Sequence, residues 1–250
     1  MGKLILKSRH RLKCGDSTMI DNVDDLMNGE KADMVFTDPP YGMNLNADFS
    51  GMKFKFKGST GGNKYDNVIG DHDDFSEDLI NIIFTLESVK EVFIWGADYF
   101  AEIIPERNKG SWVVWDKRGD ESADKMFGST FELCWSKIKH KRETARIRSG
   151  MFGVKDDSKK RVHPTQKPVQ LAEWFFDNWC KDLNLCVDLY LGSGSTLIAC
   201  EKTNRKCYGM ELDPKYCDVI IKRYMEYTKR DDIILESTGQ KYTEITATHK

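Results

Sequence analysis

The chain has 250 residues, of which 40% are hydrophobic, and a formal charge of −2. That length suits one α/β domain with insertions, and six Trp with thirteen Phe suffice for a substantial core. No apolar run approaches the ~18 residues of a membrane span, and Leu4-Ile5-Leu6 is too short for a signal-peptide core, so no membrane partner and a cytoplasmic location are expected.

Short β-rich apolar runs alternate with stretches of helical periodicity, which predicts an α/β fold with a mostly parallel central sheet and helices on both faces. In chain order the strand Met34–Thr37 comes first, followed by a helix over Phe75–Val89. Strands are expected over Val92–Trp95, Trp112–Trp115 and Phe131–Trp135, then a helix over Pro168–Cys180. The strand Cys186–Leu191, the helix Ser195–Lys202, the strand Cys207–Met210 and the helix Pro214–Lys229 complete the set. The last helix is the best marked. Asp213 suits the N-cap, Pro214 suits the first helical position, and Tyr216, Val219, Ile220 and Tyr224 recur at helical spacing. From Asp231 the chain turns polar and reads as a loosely ordered tail, leaving residues 1–230 as a single domain.

Two segments stand apart from this alternation. Residues 42–67 are polar and glycine-rich, with aromatics among Lys53, Lys55 and Lys57. Residues 137–161 hold ten Lys/Arg against three acids, a local charge of +7 in a chain that is negative elsewhere. Seven cysteines without a C-x-x-C pair read as reduced thiols, several of them in the core, and no metal site is expected. His72 and His140 read as surface side chains, and the Trp174-Phe175-Phe176…Trp179 cluster as core or a subunit contact.

The sharpest motif is Asp38-Pro39-Pro40-Tyr41, directly after the first strand. An exocyclic amine is a poor nucleophile because its lone pair is delocalised into the base ring. Two acceptors aimed at its hydrogens favour a pyramidal nitrogen with a localised pair, and the Asp38 carboxylate with the carbonyl of Pro39 or Pro40 can supply them. The prolines preorganise the backbone, and Tyr41 offers a flat ring to a base rotated out of the duplex. Taken alone, the tetrapeptide is also what a rigid turn after a buried strand looks like.

A second motif runs from Asp188 through Gly192-Ser193-Gly194 to Thr196, a strand entering a glycine turn and a helix. It is not a dinucleotide fingerprint, because the third glycine of that pattern would fall at Leu197. Glu211, seventeen residues beyond Gly194, ends the next strand, where a carboxylate can accept from two ribose hydroxyls. By itself this turn is equally a generic α/β connection.

Together these pieces resemble the amino-methylating DNA methyltransferases. Asp38–Tyr41 lies ahead of Gly192–Gly194, the order of that family's circularly permuted beta group, and the later strands resemble especially those of its compact phage-type members. Cys14-Gly15-Asp16 looks like the family segment whose Asp lies near the cofactor. His163-Pro164-Thr165-Gln166-Lys167-Pro168 looks like the one that leads into the cofactor-binding helix. Phe93–Gly96, Trp112–Lys117 and Phe131–Trp135 are similar to its later strands, so the resemblance runs from about Cys14 to Tyr227.

The resemblance implies a circularly permuted S-adenosylmethionine-dependent fold in which the usual third strand opens the chain. It implies S-adenosylmethionine as cofactor, held by Asp16, Asp38, Thr165, Lys167, Pro168, Asp188, Gly192, Gly194, Thr196 and Glu211. Asp38, Pro39, Pro40 and Tyr41 would be catalytic, with double-stranded DNA as partner and a homodimer as a compatible assembly. The basic segment falls where the permuted group commonly houses target recognition. Lys141, Arg142, Arg146 and Arg148 are therefore expected on DNA, with Lys53, Lys55 and Lys57 in a second contacting loop. Both segments also fit solvated surface loops. Asp38 at the head of the tetrapeptide tilts the target toward adenine N6. N4 of cytosine is the alternative, and a non-catalytic DNA-binding relative is a more distant one. Attack at cytosine C5 is set aside because none of the six prolines precedes a cysteine.

Overall fold

The computed structural model describes residues 9–40, 76–118, 129–148, 162–163 and 165–247, with the backbone of 3–6. Tyr41, Lys53, Lys55, Lys57, His72 and the 149–161 part of the basic segment lie outside the described residues.

Among the described residues ten strands form one sheet, in the order β10-β1-β2-β9-β8-β3-β4-β6-β5-β7. Its centre is parallel: β2 (His10–Cys14), β9 (Lys206–Glu211), β8 (Leu185–Asp188), β3 (Met34–Thr37) and β4 (Glu91–Trp95) run side by side. The flanks are mixed. β6 (Phe131–Ser136) runs antiparallel to both β4 and β5 (Ser111–Asp116), and β7 (Thr144–Arg146) closes that edge parallel to β5. On the other flank β1 (Lys3–Leu6) pairs antiparallel with β2 and with β10 (Ile233–Leu235). The strand before Asp38, β3, precedes the glycine-turn strands β8 and β9, the permuted order expected from the motifs, but β1 and β2 come before it, so Met34–Thr37 is not the first strand as expected.

Strand residues alternate between two cores, as the two-residue period of a strand buried on both faces requires. Met34, Phe36, Phe93, Trp95, Cys186 and Cys207 face one core, while Val35, Val92, Ile94, Val187, Tyr208 and Met210 face the other. The first core is roofed by α3 (Val169–Trp179), α4 (Ser195–Lys202) and α5 (Pro214–Thr228), and the second by α1 (Ile20–Met27) and α2 (Asp78–Phe84). Phe175 of α3 meets Phe36, Phe93 and Trp95 edge to face, with ring centroids 4.9–5.5 Å apart. Such aromatic pairs add about 0.5–1.5 kcal/mol each beyond area burial. They fix the entry of α3 over the ends of β3 and β4.

Several expectations need correcting. The strand expected to reach Leu191 stops at Asp188, because Asp188 Oδ1 accepts from the backbone N–H of Tyr190 (3.2 Å) and turns the chain. The helix expected over Phe75–Val89 is shorter, ending where the Thr85 N–H and hydroxyl both turn back to the Ile82 carbonyl. The polar stretch after Asp231 continues the fold. Ile233 is buried beside β1, and α6 (Tyr242–Ala247) is anchored by Tyr242, whose hydroxyl donates to Asp218 at 2.8 Å.

His140 is not a surface side chain. It pairs through Nε2 with the fully buried Glu91 at 2.6 Å and stacks on Trp179 with centroids 4.4 Å apart. A carboxylate at the buried start of β4 requires donors, and His140, Ser136 and two backbone N–H groups supply them. Phe175 and Phe176 are core as expected, Asp213 caps α5 by accepting from Lys215 N at 2.8 Å, and all seven thiols are free. Among the described residues no helix is long and apolar enough to cross a membrane.

Candidate active site

In an open α/β sheet, ligands bind at the carboxyl ends of the parallel strands. Here those ends carry Gly15 and Asp16 after β2, Glu211 on β9, Asp188 on β8, Asp38 after β3 and Trp95 on β4. One cleft is lined by residues from all five. Of the sequence-predicted residues, Asp16, Asp38, Pro39, Pro40, Thr165 and Lys167 line it, as do Pro168, Asp188, Gly192, Thr196 and Glu211. Gly194 stands behind the lining, where its positive φ of 80° caps the start of α4. Lys141, Arg142, Arg146 and Arg148 are exposed and lie around the edge strand β7, away from the cleft.

The glycine turn is built from both of its flanks. Gly192 takes φ 53°, a conformation costly for residues with a Cβ, and its N–H donates to Glu211 Oε2 at 2.8 Å. Asp213 N donates to the other oxygen of Glu211 at 2.9 Å. Burial, only partly offset by these two backbone donors, pushes the Glu211 carboxyl up to about 7. Asp188 is also pushed up by burial, to about 6, against the lowering effect of hydrogen bonds from the Thr196 and Thr37 hydroxyls. The Thr37 bond is 2.8 Å long and ties the end of β3 to the end of β8. Ser195 Oγ donates to the Lys167 carbonyl at 2.7 Å, which joins the start of α4 to the 165–168 segment.

Asp38 sits at the centre of the cleft. Its Oδ2 is ion-paired with Lys167 Nζ, while its Oδ1 is buried and, among the described residues, without a hydrogen-bond partner. Burial raises its carboxyl pKa, and Lys167 counters that shift. An unsatisfied buried acceptor costs about 1–3 kcal/mol, more for a charged group, and folds tolerate that cost chiefly where function uses it.

Sequence reasoning missed several residues of this region. His163 is buried in the cleft wall, its Nδ1 3.1 Å from Thr165 Oγ1 and its ring against Tyr216. It lies within a recognised motif but carried no assigned role. Leu212 lies at the cleft and is 42% exposed, and its signal was its place directly after Glu211. Lys117 and Glu132, which adjoin Lys167, carried no local signal because their placement depends on how two antiparallel strands pair.

A family model described as DNA methylase, named for N6 and N4 methyltransferases, matches residues 51–223. The chain belongs to this family. The tetrapeptide at Asp38 lies just upstream of the matched span. The type II methyltransferase M.HinfI of Haemophilus influenzae is 24% identical over 240 residues, covering 79% of this chain and 64% of its own. The orphan methyltransferase M.BamHII of Bacillus amyloliquefaciens is 24% identical over 178 residues, covering 67% and 64%. The chain thus spans about 64% of the length of these two curated relatives. Among solved structures, the PvuII cytosine-N4-specific DNA methyltransferase aligns with a TM-score of 0.53 at 14% identity, covering 86% of each chain. The M1.HpyAVI–SAM complex aligns at 0.51 with 18% identity, covering 85% of this chain and 98% of that one. These likenesses establish the methyltransferase fold.

Proposed function

We propose that this chain transfers a methyl group from S-adenosylmethionine to the N6 amine of an adenine rotated out of double-stranded DNA. The observation that carries the reading is the Oδ1 of Asp38, without a partner among the described residues and held in the same cleft as the glycine turn and Glu211. The cleft suits the donor molecule: Glu211 can accept from ribose hydroxyls, Leu191 and Leu212 offer apolar walls, and the left-handed turn at Gly192 leaves backbone open to close approach. Asp16, Thr165, Pro168, Asp188 and Thr196 complete that wall. Bound there, S-adenosylmethionine supplies an electrophilic methyl on a sulfonium.

The protein's own contribution is alignment and polarisation, with no covalent intermediate. Asp38 Oδ1 accepts one amine hydrogen, the carbonyl of Pro39 or Pro40 accepts the other, and Tyr41 stacks on the base. As the nitrogen gains the methyl group it loses one proton, which passes to Asp38 Oδ1. Asp rather than Ser at the head of the tetrapeptide favours adenine, and the same two acceptors would serve N4 of cytosine. The test is incubation with unmethylated DNA and labelled donor, followed by nucleoside mass spectrometry. N6-methyladenine is expected, N4-methylcytosine alone would overturn the base assignment, and 5-methylcytosine would overturn the mechanism. Asp38→Ala should lose roughly 100- to 1000-fold in single-turnover rate while still binding the donor. A near-normal rate would remove Asp38 from the chemistry.

A further inference from the structure

Beyond Asp38 the carboxyl edge of the sheet carries a row of alternating charges. β6 runs antiparallel to β4 and β5, so its beginning lies beside the ends of those two strands. Glu132, second in β6, therefore meets Lys117, which follows β5. Lys117 Nζ is ion-paired with Glu132 Oε1, and Lys167 Nζ lies 3.3 Å from Glu132 Oε2 while also engaging Asp38 Oδ2. Both ammonium groups sit over indole rings, Lys167 5.3 Å from the centroid of Trp95 and Lys117 5.3 Å from that of Trp115. The two rings themselves meet edge to face at 5.8 Å. The order across the edge is Lys117, Glu132, Lys167, Asp38, above a floor of tryptophan.

This row addresses a problem that Asp38 cannot solve alone. A carboxylate rotates readily about its last bond, because terminal torsions of this kind have broad two-fold wells. Its two oxygens are equivalent until something takes one of them. A lysine on a flexible four-carbon stem with three rotatable donors is a poor anchor by itself, but one held against a second carboxylate is not. We propose that Glu132 is a positioning residue that acts through Lys167. It fixes the ammonium on Asp38 Oδ2, so that Oδ1 is the oxygen presented to the target amine.

Glu132 touches neither donor nor amine in this scheme, and Lys117 serves to hold Glu132. The proposal rests on the reading of Asp38 given above and assigns Lys167 to the carboxylate rather than to the donor.

The charges have opposite effects on Asp38. Besides burial, the groups acting on it are Lys167 and Lys117, which lower its pKa, and Glu132, which raises it; buried Asp188 and Cys134 also stand near. Asp38 must be ionised to accept from the amine, so its titration sets the acid limb of the rate profile. Removing the Glu132 charge should move that limb to lower pH, and removing the Lys167 charge should move it to higher pH. A loss of fold alone would move neither, and a charge effect without positioning would move the limbs while leaving the plateau rates alone.

The experiment compares wild type, Glu132→Gln, Lys167→Met and the double variant. It measures single-turnover methylation of plasmid DNA from a methylation-deficient host, at saturating donor and across pH. Glu132→Gln should lose roughly 10- to 100-fold in rate, the size expected of a misoriented reacting group, with little change in KM for DNA. In the Lys167→Met background the same substitution should cost almost nothing in the plateau rate above the acid limb, because its positioning route to Asp38 is gone. Calorimetric donor binding on the same samples reports that each variant retains its folded cleft. Multiplicative losses in the double variant, or acid limbs that stay in place in both single variants, would overturn the proposal. Asp38→Ala in the same assay separates the two readings. If that variant stays active, the reading of Asp38 fails. If it is inactive while Glu132→Gln keeps the wild-type rate and profile, only the present inference fails.

Discussion

Glu211 accepts a backbone N–H on each oxygen, from Gly192 and Asp213, yet burial leaves its carboxyl titrating near 7. In the proposed role its ionised form would accept more strongly from two ribose hydroxyls, because the protonated form must use one oxygen as a donor. Donor affinity should therefore rise between about pH 6 and pH 8 and level off above. A carboxyl with a pKa near 7 is only about one-tenth ionised at pH 6, so the span should be roughly 10-fold. Calorimetry across that range checks it, and Glu211→Gln should flatten the dependence while weakening binding. If the variant keeps the wild-type slope, Glu211 is not the titrating group. Stability carries the opposite sign. A carboxyl whose folded pKa lies above its unfolded value costs nothing while both states are protonated, below about 4.5. Ionisation of the unfolded chain then erodes stability until the pH passes the folded value near 7. Asp188, raised to about 6, adds to the same trend. The unliganded protein should thus lose stability toward neutral pH, and bound donor should restore it.

The glycine turn depends on a close approach between two neighbouring elements. A Cβ placed on Gly209 of β9 would lie 2.6 Å from Leu191 Cδ2, in the segment that carries Asp188 into Gly192. Gly209→Ala should cost about 1–3 kcal/mol by overpacking and should weaken donor binding by displacing the turn. Urea unfolding measures the first effect. Repeating the substitution in a Leu191→Ala background, where the obstructing methyls are gone, should recover most of the loss; an equal cost in both backgrounds would place the strain elsewhere. The same region shows which elements the sequence makes readable. β3, β4, β8 and β9 are buried on both faces, so their continuous apolar runs stand out, and α4 and α5 are framed by a glycine turn and an Asp–Pro cap. By contrast β2 reads His10-Arg11-Leu12-Lys13-Cys14, and its polar groups are accommodated only by distant partners: Glu201 for His10, and the carbonyls of Leu26 and Met27 for Arg11. α1 spans two turns with three buried side chains among acids, too little periodicity to register. β7 and β10 have three residues each and exist through pairing with β5 and β1.

Across the whole molecule, residues far apart in the chain come together at the cleft because each ends a parallel strand or opens the helix after it. Motif reading named Asp16, Asp38, Asp188 and Glu211 among them, but not Trp95 or Leu212. It could not recover Glu132 and Lys117, whose position follows from the antiparallel turn of β6 against β4 and β5. For the proposed contact with DNA, the arrangement of charge gives a separate test. The basic residues around β7 lie five strand positions from β8, and at about 4.8 Å per strand that is roughly 24 Å from the glycine turn. Lys141, Arg142, Arg146 and Arg148 are all exposed, with Lys141 3.3 Å from Glu143, while Asp116, whose pKa is lowered chiefly by its hydrogen bond from Arg118, also feels the charge of Arg146. Each cation that neutralises a phosphate releases condensed counterion and adds about 0.9 to the magnitude of the log-affinity against log-salt slope. Replacing all four with Gln should flatten that slope and weaken binding to many sequences alike, by less than four full contacts because two of the cations already face an acid. The separation from the cleft means that donor affinity should stay unchanged. DNA binding across a salt series, with and without a donor analogue, tests both statements. Parallel slopes for the wild type and the quadruple variant would mean that this edge is only solvated, and phosphate contacts would then have to be sought at Lys53, Lys55 and Lys57.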